Sequence, residues 1–282
     1  MSVVGTLRYG TSSWSEKSWK GVFYPAGTKP GDYLTYYATQ FDTVEADNTY
    51  YAIPAPKLVE GWKRKTPEGF TLSAKFPRSI VHGGDGPRPN GERALALEHV
   101  HRDLDEYLSV MSLLGSRCGP LVIQLPYFNR SAFPNLEAFL ERLEPFLDAL
   151  PDDFRYGLEV RNKDWVGPQL FGSLRKRNIA YCLVDLVYMP HPASIAREWD
   201  VVTADFVYAR LIGDRKAVDA KTETFDKIVL DQSKRLDGWR RLVKHLLERV
   251  PEVYVYANNH YAGHGPATIR DLVDRVNAPG DD

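Results

Sequence analysis

Eight short apolar runs, separated by segments of helical periodicity, constrain this fold more than any other feature of the chain. They are "LRYGTSSW" (7–14), "DTVEADNTYY" (42–51), "FTLSAKFP" (70–77), "GPLVIQLP" (119–126), "FRYGLEVRN" (154–162), "IAYCLVD" (179–185), "FVYARLIG" (206–213) and "EVYVYANN" (252–259). Runs of this length, rich in aliphatic and aromatic residues and bounded by turn formers, read as strands. Between them the apolar residues fall three and four apart, as Leu34, Tyr37, Ala38 and Phe41 do in "GDYLTYYATQF". The same spacing recurs in "HRDLDEYLSVMSLLG", "NLEAFLERLEPFLDAL", "SKRLDGWRRLVKHLLERV" and "PATIRDLVDRV". Pro145 is expected to kink its helix or end the first half of it. Strands alternating with helices form a parallel sheet under crossover helices. Eight such units in roughly 250 residues predict an α/β protein made of a single (β/α)8 TIM barrel. The expectation is one domain over residues 1–282, with a flexible tail at 277–282. A doubly wound open sheet is the alternative.

Composition narrows the function classes. Net charge is −1, so no overall field attracts nucleic acid or an anionic membrane, although a local basic patch stays open. No apolar run approaches the length of a membrane span, and the opening "MSVVGTLRYG" lacks the pattern of a secretory leader. A cytoplasmic protein with two reduced, buried thiols, Cys118 and Cys182, is expected.

Alternation along the strands then sorts side chains between barrel interior and helix layer. Phe70, Leu72, Ala74 and Phe76 belong under helices, so Lys75 points inward. The same reasoning places Glu45, Gln124, Glu159, Arg161, Asp185, Arg210 and Asn258 inward. Three carboxylates then face three cations. Ordinary barrel interiors are layers of Val, Ile and Leu. Charges there must pair, because an unpaired buried charge costs several kcal/mol. Either they form a structural network, or they line a polar cavity at the C-terminal rim. Three long connections, 78–98, 186–205 and 214–230, follow strands and so lie at that rim. The Gly- and Pro-rich segment "HGGDGPRPNGER" (82–93) is either a lid or a surface loop.

Six motifs stand in order along the chain: "YGTSSWSEKSWKGVFYP", "YYATQFDTVEADNTYYAIP", "FTLSAKFPRSIVH", "LEVRNKDW", "YARLIG" and "YVYANNHYAGHGPA". Together they resemble the YecE-like family, a domain of unknown function (family 72), from Tyr9 to about Leu272. The resemblance implies a TIM barrel and no established activity or cofactor. Where that pattern has Glu-Phe-Arg-His, this chain has Glu159-Val160-Arg161-Asn162, which places any histidine role at that position in doubt.

Four chemistries fit the residues. Lys75, Arg78, Arg161, Arg210 and Arg215 suit a phosphate or carboxylate, with backbone amides of Gly10–Ser13 and Ala262–Gly265 as supplements. His82, His260 and His264 with nearby carboxylates are a weak metal set, because Gly263 and Gly265 argue against a helical turn; no metal is assigned. Glu45 and Glu159, with Trp14, Trp19, Tyr50, Tyr51, Trp165 and Tyr261 as stacking surfaces, resemble a glycosidase arrangement. Against it, Arg161 and Arg210 would hold the carboxylates ionised. A pair of Ser12 or Ser13 with His260, oriented toward the first strand, is the fourth.

The leading expectation is a hydrolase or phosphoester-cleaving enzyme for a small or nucleotide-like anionic ligand. Glu45 or Glu159 would be the base and His260 the proton donor. Lys75, Arg161 and Arg210 would hold the anion, with Asp185, Gln124, Asn258, Trp14, Tyr50 and Trp165 as further substrate contacts. The cofactor is unassigned. A non-catalytic protein that binds a metabolite or nucleic acid, and a carbohydrate-active hydrolase, are the alternatives.

Overall fold

A computed structural model describes residues 5–84 and 86–279. Eight strands are present: β1 (Thr6–Thr11), β2 (Thr43–Ala46), β3 (Thr71–Lys75), β4 (Cys118–Gln124), β5 (Tyr156–Glu159), β6 (Ala180–Leu186), β7 (Phe206–Gly213) and β8 (Glu252–Ala257). They pair in parallel in the order β1-β8-β7-β6-β5-β4-β3-β2. A parallel bridge between Ser12 and Glu45 brings the two ends together. The architecture is the TIM barrel expected, and the open-sheet alternative falls away.

The β1–β2 seam is held chiefly by side chains. The Tyr37 hydroxyl accepts from Thr11 N at 2.7 Å and donates to Thr43 O at 3.3 Å. Asp42 Oδ1 accepts from Tyr9 N at 3.1 Å. A side chain at Gly10 would lie 2.0 Å from Thr43 O, so only glycine allows the two strands this approach.

The outer layer comprises α1 (Tyr33–Tyr37), α2 (Pro56–Lys65), α3 (Arg78–Val81), α4 (Leu97–Ser112), α5 (Leu136–Asp148), α6 (Pro168–Arg175), α7 (Pro192–Glu198), α8 (Arg215–Asp219), α9 (Ser233–Leu247), α10 (Asn259–Ala262) and α11 (Gly265–Asn277). The long helices bury one stripe each. In α4 it is Val100, Leu104, Tyr107, Leu108 and Met111; in α9 it is Leu236, Trp239, Val243 and Leu246. α5 runs through Pro145 to Asp148, so the proline does not end it. It stands in the last turn, and its carbonyl still accepts from Ala149 N. Of the tail expected at 277–282, Asn277 is the last residue of α11, and residues 280–282 lie outside the described residues. Among the described residues, no helix is long and apolar enough to cross a membrane. Cys118 and Cys182 are free thiols, Cys182 buried and Cys118 half-buried.

The barrel interior has three levels. At the N-terminal ends of the strands Glu252 joins Arg8 (2.6 Å) and Arg155. Above them is a cluster that includes Val122, Cys182, Phe206, Tyr208, Tyr254 and Tyr256. Tyr256 shares hydrogen bonds with Thr43 Oγ1 (2.7 Å) and Ser73 Oγ (2.8 Å). The charged residues form the third level, at the C-terminal end.

Candidate functional site at the C-terminal mouth

Register decides which side chains meet. Residues paired in a parallel ladder share a face. Gln124 pairs Glu159, and Arg210 stands between Val184 and Tyr256. Glu45, Lys75, Gln124, Glu159 and Arg210 therefore converge above the tyrosines, and Arg161 joins them just past β5.

Arg210 is the centre of this group and is fully buried. Its Nη2 donates to Glu45 Oε1 at 2.8 Å, and its Nη1 donates to Gln124 Oε1 at 2.8 Å and to Glu159 Oε2. Arg161 holds the other oxygen of Glu159, Oε1, from Nε at 2.5 Å, and its Nη1 donates to the Tyr188 hydroxyl at 2.9 Å. Tyr208 donates to Glu45 Oε2 at 2.7 Å. The Lys75 ammonium lies 3.7 Å from Glu45 Oε1 and makes no hydrogen bond among the described residues. Two further buried donors, Arg210 Nε and Ser12 Oγ, also lack a partner among them.

The electrostatics follow from this packing. Burial alone would raise Glu45, but Arg210 and Lys75 overcome it and hold the carboxyl at about 2. Burial works on Glu159 in the same sense, and Arg161 and Arg210 bring it below the usual range. Asp47 is different. Burial pushes its carboxyl up, Lys75 pulls it down, Glu45 pushes it up, and the net is upward. Lys75 is pulled down by burial and by the charge of Arg210, against the pull of Glu45.

The expected inward position of Asp185 does not hold. It pairs in register with Leu211, which faces the helices, while Val184 pairs with Arg210. Its carboxylate receives Trp239 Nε1 at 2.9 Å, Tyr261 Oη at 2.8 Å and the Arg235 guanidinium, and His191 Nε2 lies 3.4 Å away. That set is a knot between β6, α9 and α10. Within contact distance the interior thus holds three cations against two glutamates.

His260 does not turn toward β1 either. Its Nδ1 meets Asn258 Oδ1 at 3.0 Å, its Nε2 meets Asp219 Oδ1 at 3.2 Å, and its ring packs on Phe225. No serine–histidine pair exists among the described residues. Asn258 caps α10 through the same oxygen, accepting from His260 N at 2.9 Å. The segment with His260 forms one helical turn, closed by Gly263 in the left-handed region at φ 111°. His264 packs its ring edge against Trp19. No cluster of three or more metal-ligating side chains is found among the described residues.

The aromatic residues divide. Trp165 is buried and stacks on Phe139 at 4.2 Å, within the packing between helices. Trp19 and Tyr261 are buried as well, with Trp19 Nε1 donating to Asn259 Oδ1 at 3.2 Å. Trp14 and Tyr50 are half-buried, and Tyr51 is exposed. Two residues that sequence reasoning missed, Tyr127 and Tyr188, are exposed on the connections after β4 and β6. Asp47 and Tyr208 were also missed: Tyr208 lies two positions before Arg210 on the same face of β7, and Asp47 opens the turn that follows β2.

Segment 82–93 is an irregular loop. Asn90 N donates to His82 O, and Arg142 Nη1 donates to the carbonyls of Gly91, Glu92 and Ala94. Its Asp85 lies outside the described residues. A surface depression of about 1290 Å³ is at the opposite end of the barrel. The charges on its floor, Arg8, Arg155 and Glu252, pair with one another, so it lacks the unsatisfied donors of the C-terminal mouth.

Comparison with known proteins agrees with the barrel fold. The family profile described as protein of unknown function DUF72 matches residues 8–282. The UPF0759 protein YecE of Escherichia coli K12 is 34% identical over 164 residues, 58% of this chain and 50% of its own. The UPF0759 protein YunF of Bacillus subtilis is 24% identical over 162 residues, 57% of this chain and 53% of its own. The chain thus spans about half the length of the curated relatives it matches. A DUF72 family protein of Thermotoga maritima superposes with a TM-score of 0.64 at 26% identity, covering 95% of this chain and 99% of that one. D-psicose 3-epimerase of Clostridium cellulolyticum, at 10% identity and TM-score 0.52, covers 97% of this chain and 93% of its own and shares the fold alone. The profile match over nearly the whole length settles the family: this chain belongs to DUF72.

Proposed function

We propose that the C-terminal mouth is the active site of an enzyme for a small substrate carrying a carboxylate or phosphate group. The observation that carries this reading is the imbalance at the mouth. Three cations contact two carboxylates, and among the described residues Arg210 Nε and Ser12 Oγ are buried donors without a partner, while Lys75 Nζ makes no hydrogen bond. An unfilled buried donor costs about 1–3 kcal/mol, and a ligand oxygen would remove that cost. Arg161, partly open to solvent and linked to the exposed Tyr188, is the group that would meet the anion first. Arg210 directs both terminal nitrogens at Glu45, Gln124 and Glu159, so its main task is to order the two glutamates, and Nε is its buried donor left for a substrate.

The same geometry weighs against two other chemistries. Glycoside cleavage needs one carboxyl kept protonated, whereas Glu45 and Glu159 are both held down. Hydrolysis with His260 as proton donor lacks its donor, because that ring is engaged with Asn258 and Asp219. Asp47, raised by burial, is the carboxyl suited to carry a proton.

Thermal unfolding at fixed ionic strength tests the reading. Phosphorylated and carboxylated small molecules should raise the midpoint, since a ligand at a hundred times its dissociation constant adds about 2.7 kcal/mol. Arg161→Gln should abolish the rise. A rise with neutral sugars alone, or a rise that survives this substitution, would overturn it.

A further inference from the structure

We infer that Lys75 is the nucleophile of this site, and that the substrate is an aldehyde or ketone bearing an anionic group, which Lys75 takes up as an imine. The inference rests on the anion-binding reading above and adds the reacting group.

Among the three cations only Lys75 can lose its proton, because a guanidinium stays charged in proteins. Lys75 is also the one whose charge makes no hydrogen bond among the described residues. It stands at the end of β3, nine-tenths buried, where Glu45 is too far for a hydrogen bond but close enough to feel a positive charge. Burial and Arg210 both favour its neutral form, while Glu45, Asp47 and Glu159 oppose it. Loss of that proton leaves two guanidinium groups facing two glutamates, which is a balanced set.

The surrounding groups fit each step. The neutral amine nitrogen adds to the carbonyl carbon, and the π pair moves to oxygen. Arg210 Nε and Ser12 Oγ are the free buried donors for that oxygen. A proton passes from nitrogen to oxygen, giving the carbinolamine. Asp47, at the start of the turn that follows β2 and close enough for its charge to act on Lys75, is the carboxyl placed for this transfer, and burial raises its proton affinity. The hydroxyl then leaves as water with one further proton taken from solvent, and the carbon–nitrogen double bond carries the positive charge. Glu45, held ionised by Arg210, faces that charge where it faced the ammonium. The tight ionisation of Glu45 is of little use to a general acid but suits a fixed counter-ion.

The test is reductive trapping on the full chain. Protein is incubated with glycolaldehyde phosphate, pyruvate, neutral glycolaldehyde or formaldehyde, reduced with borohydride, and mapped by peptide mass. Thermal midpoints are taken on the same mixtures before reduction. Lys75 should label at least tenfold faster than the exposed Lys57 and Lys176, and should keep labelling at lower pH than they do. Lys75→Arg, which keeps the charge, should lose the adduct but keep the midpoint rise. Arg161→Gln should lose the preference for anionic over neutral carbonyls while still labelling with formaldehyde. A midpoint rise with anions, while Lys75 labels no faster than the exposed lysines even with formaldehyde, overturns the imine and leaves anion binding standing. Fast Lys75 labelling without anion preference supports the imine and removes the anion reading. Neither labelling nor a rise removes both.

Discussion

Replacing Arg210 with methionine keeps much of the side-chain bulk and removes the cation shared by Glu45 and Glu159. Both carboxylates are fully buried. Glu159 would retain Arg161, and Glu45 would retain only the Tyr208 hydroxyl and Lys75 at 3.7 Å. The size of the loss follows from Glu45. Each tenfold change in proton affinity is worth about 1.4 kcal/mol, so a carboxyl brought from 4.5 to about 2 gains about 3 kcal/mol on folding. Breaking a buried ion pair from one side costs about 3–5 kcal/mol, which agrees. For a chain of this length that is roughly 5–8 °C in midpoint. The sign with pH is fixed. A carboxyl lowered in the fold stabilises above its unfolded value and loses that contribution as pH falls toward the folded value. The gap between wild type and Arg210→Met should therefore be widest near neutrality and narrow as pH falls through about 4.5 toward 2. Urea unfolding at pH 7 and pH 4 measures it. A triple substitution, Arg210→Met with Glu45→Gln and Glu159→Gln, should recover most of the loss, since no charge is left unpaired. A loss below about 1 kcal/mol at pH 7, or one that does not change with pH, would refute the role given to Arg210.

Three other substitutions probe particular placements. Tyr37→Phe should cost about 1–3 kcal/mol, because Thr11 N loses its acceptor; hydrogen exchange at that amide should speed up selectively. Trp165→Ala should cost about 3–5 kcal/mol through the cavity it leaves beside Phe139, with the response to anionic ligands unaltered in thermal unfolding. His260→Gln should also leave that response in place, since its ring contacts Asp219, Asn258 and Phe225; loss of anion binding in this variant would return the histidine to the site.

The barrel was legible because its strands and helices carry different periods, and most of the mouth was legible because β2, β3, β4, β5 and β7 alternate. Alternation fixes the phase of a strand only when one face is distinctly polar. In β6 it is not: Ala180–Leu186 has one charged residue among apolar ones. Its small residues Ala180 and Cys182 face the crowded interior, and the larger Tyr181 and Leu183 face the helices. Gly157 shows how little room the interior leaves, since a side chain there would lie 2.8 Å from Cys182 Sγ. Asp185 follows the outward set. Trp165 and His260 escaped prediction for another reason. Each sits on a short helical turn after a strand, Lys163–Trp165 and Asn259–Ala262, where alternation has stopped and side-chain direction depends on how the turn is tied down.

Stability does not explain why the barrel ends in charges. An apolar layer of similar volume is often as stable as a buried ion-pair cluster, or more so. The lower two levels of this interior are complete by comparison: Glu252 joins Arg8 and Arg155, and the Tyr256 hydroxyl is shared with Thr43 and Ser73. At the mouth, Arg210 anchors Glu45, Gln124 and Glu159 at fixed distances, yet its own Nε, Ser12 Oγ and the Lys75 ammonium are left without hydrogen bonds among the described residues. A network that served only packing would spend its donors on the acceptors already present. On the proposed reading, a network that holds its carboxylates rigidly and keeps these donors free is ordered to receive a ligand, and donors of this kind suit oxygen atoms. The proposed substrate should therefore present its carbonyl carbon to Lys75, its carbonyl oxygen to Ser12 Oγ and Arg210 Nε in the interior, and its charge to Arg161 at the rim.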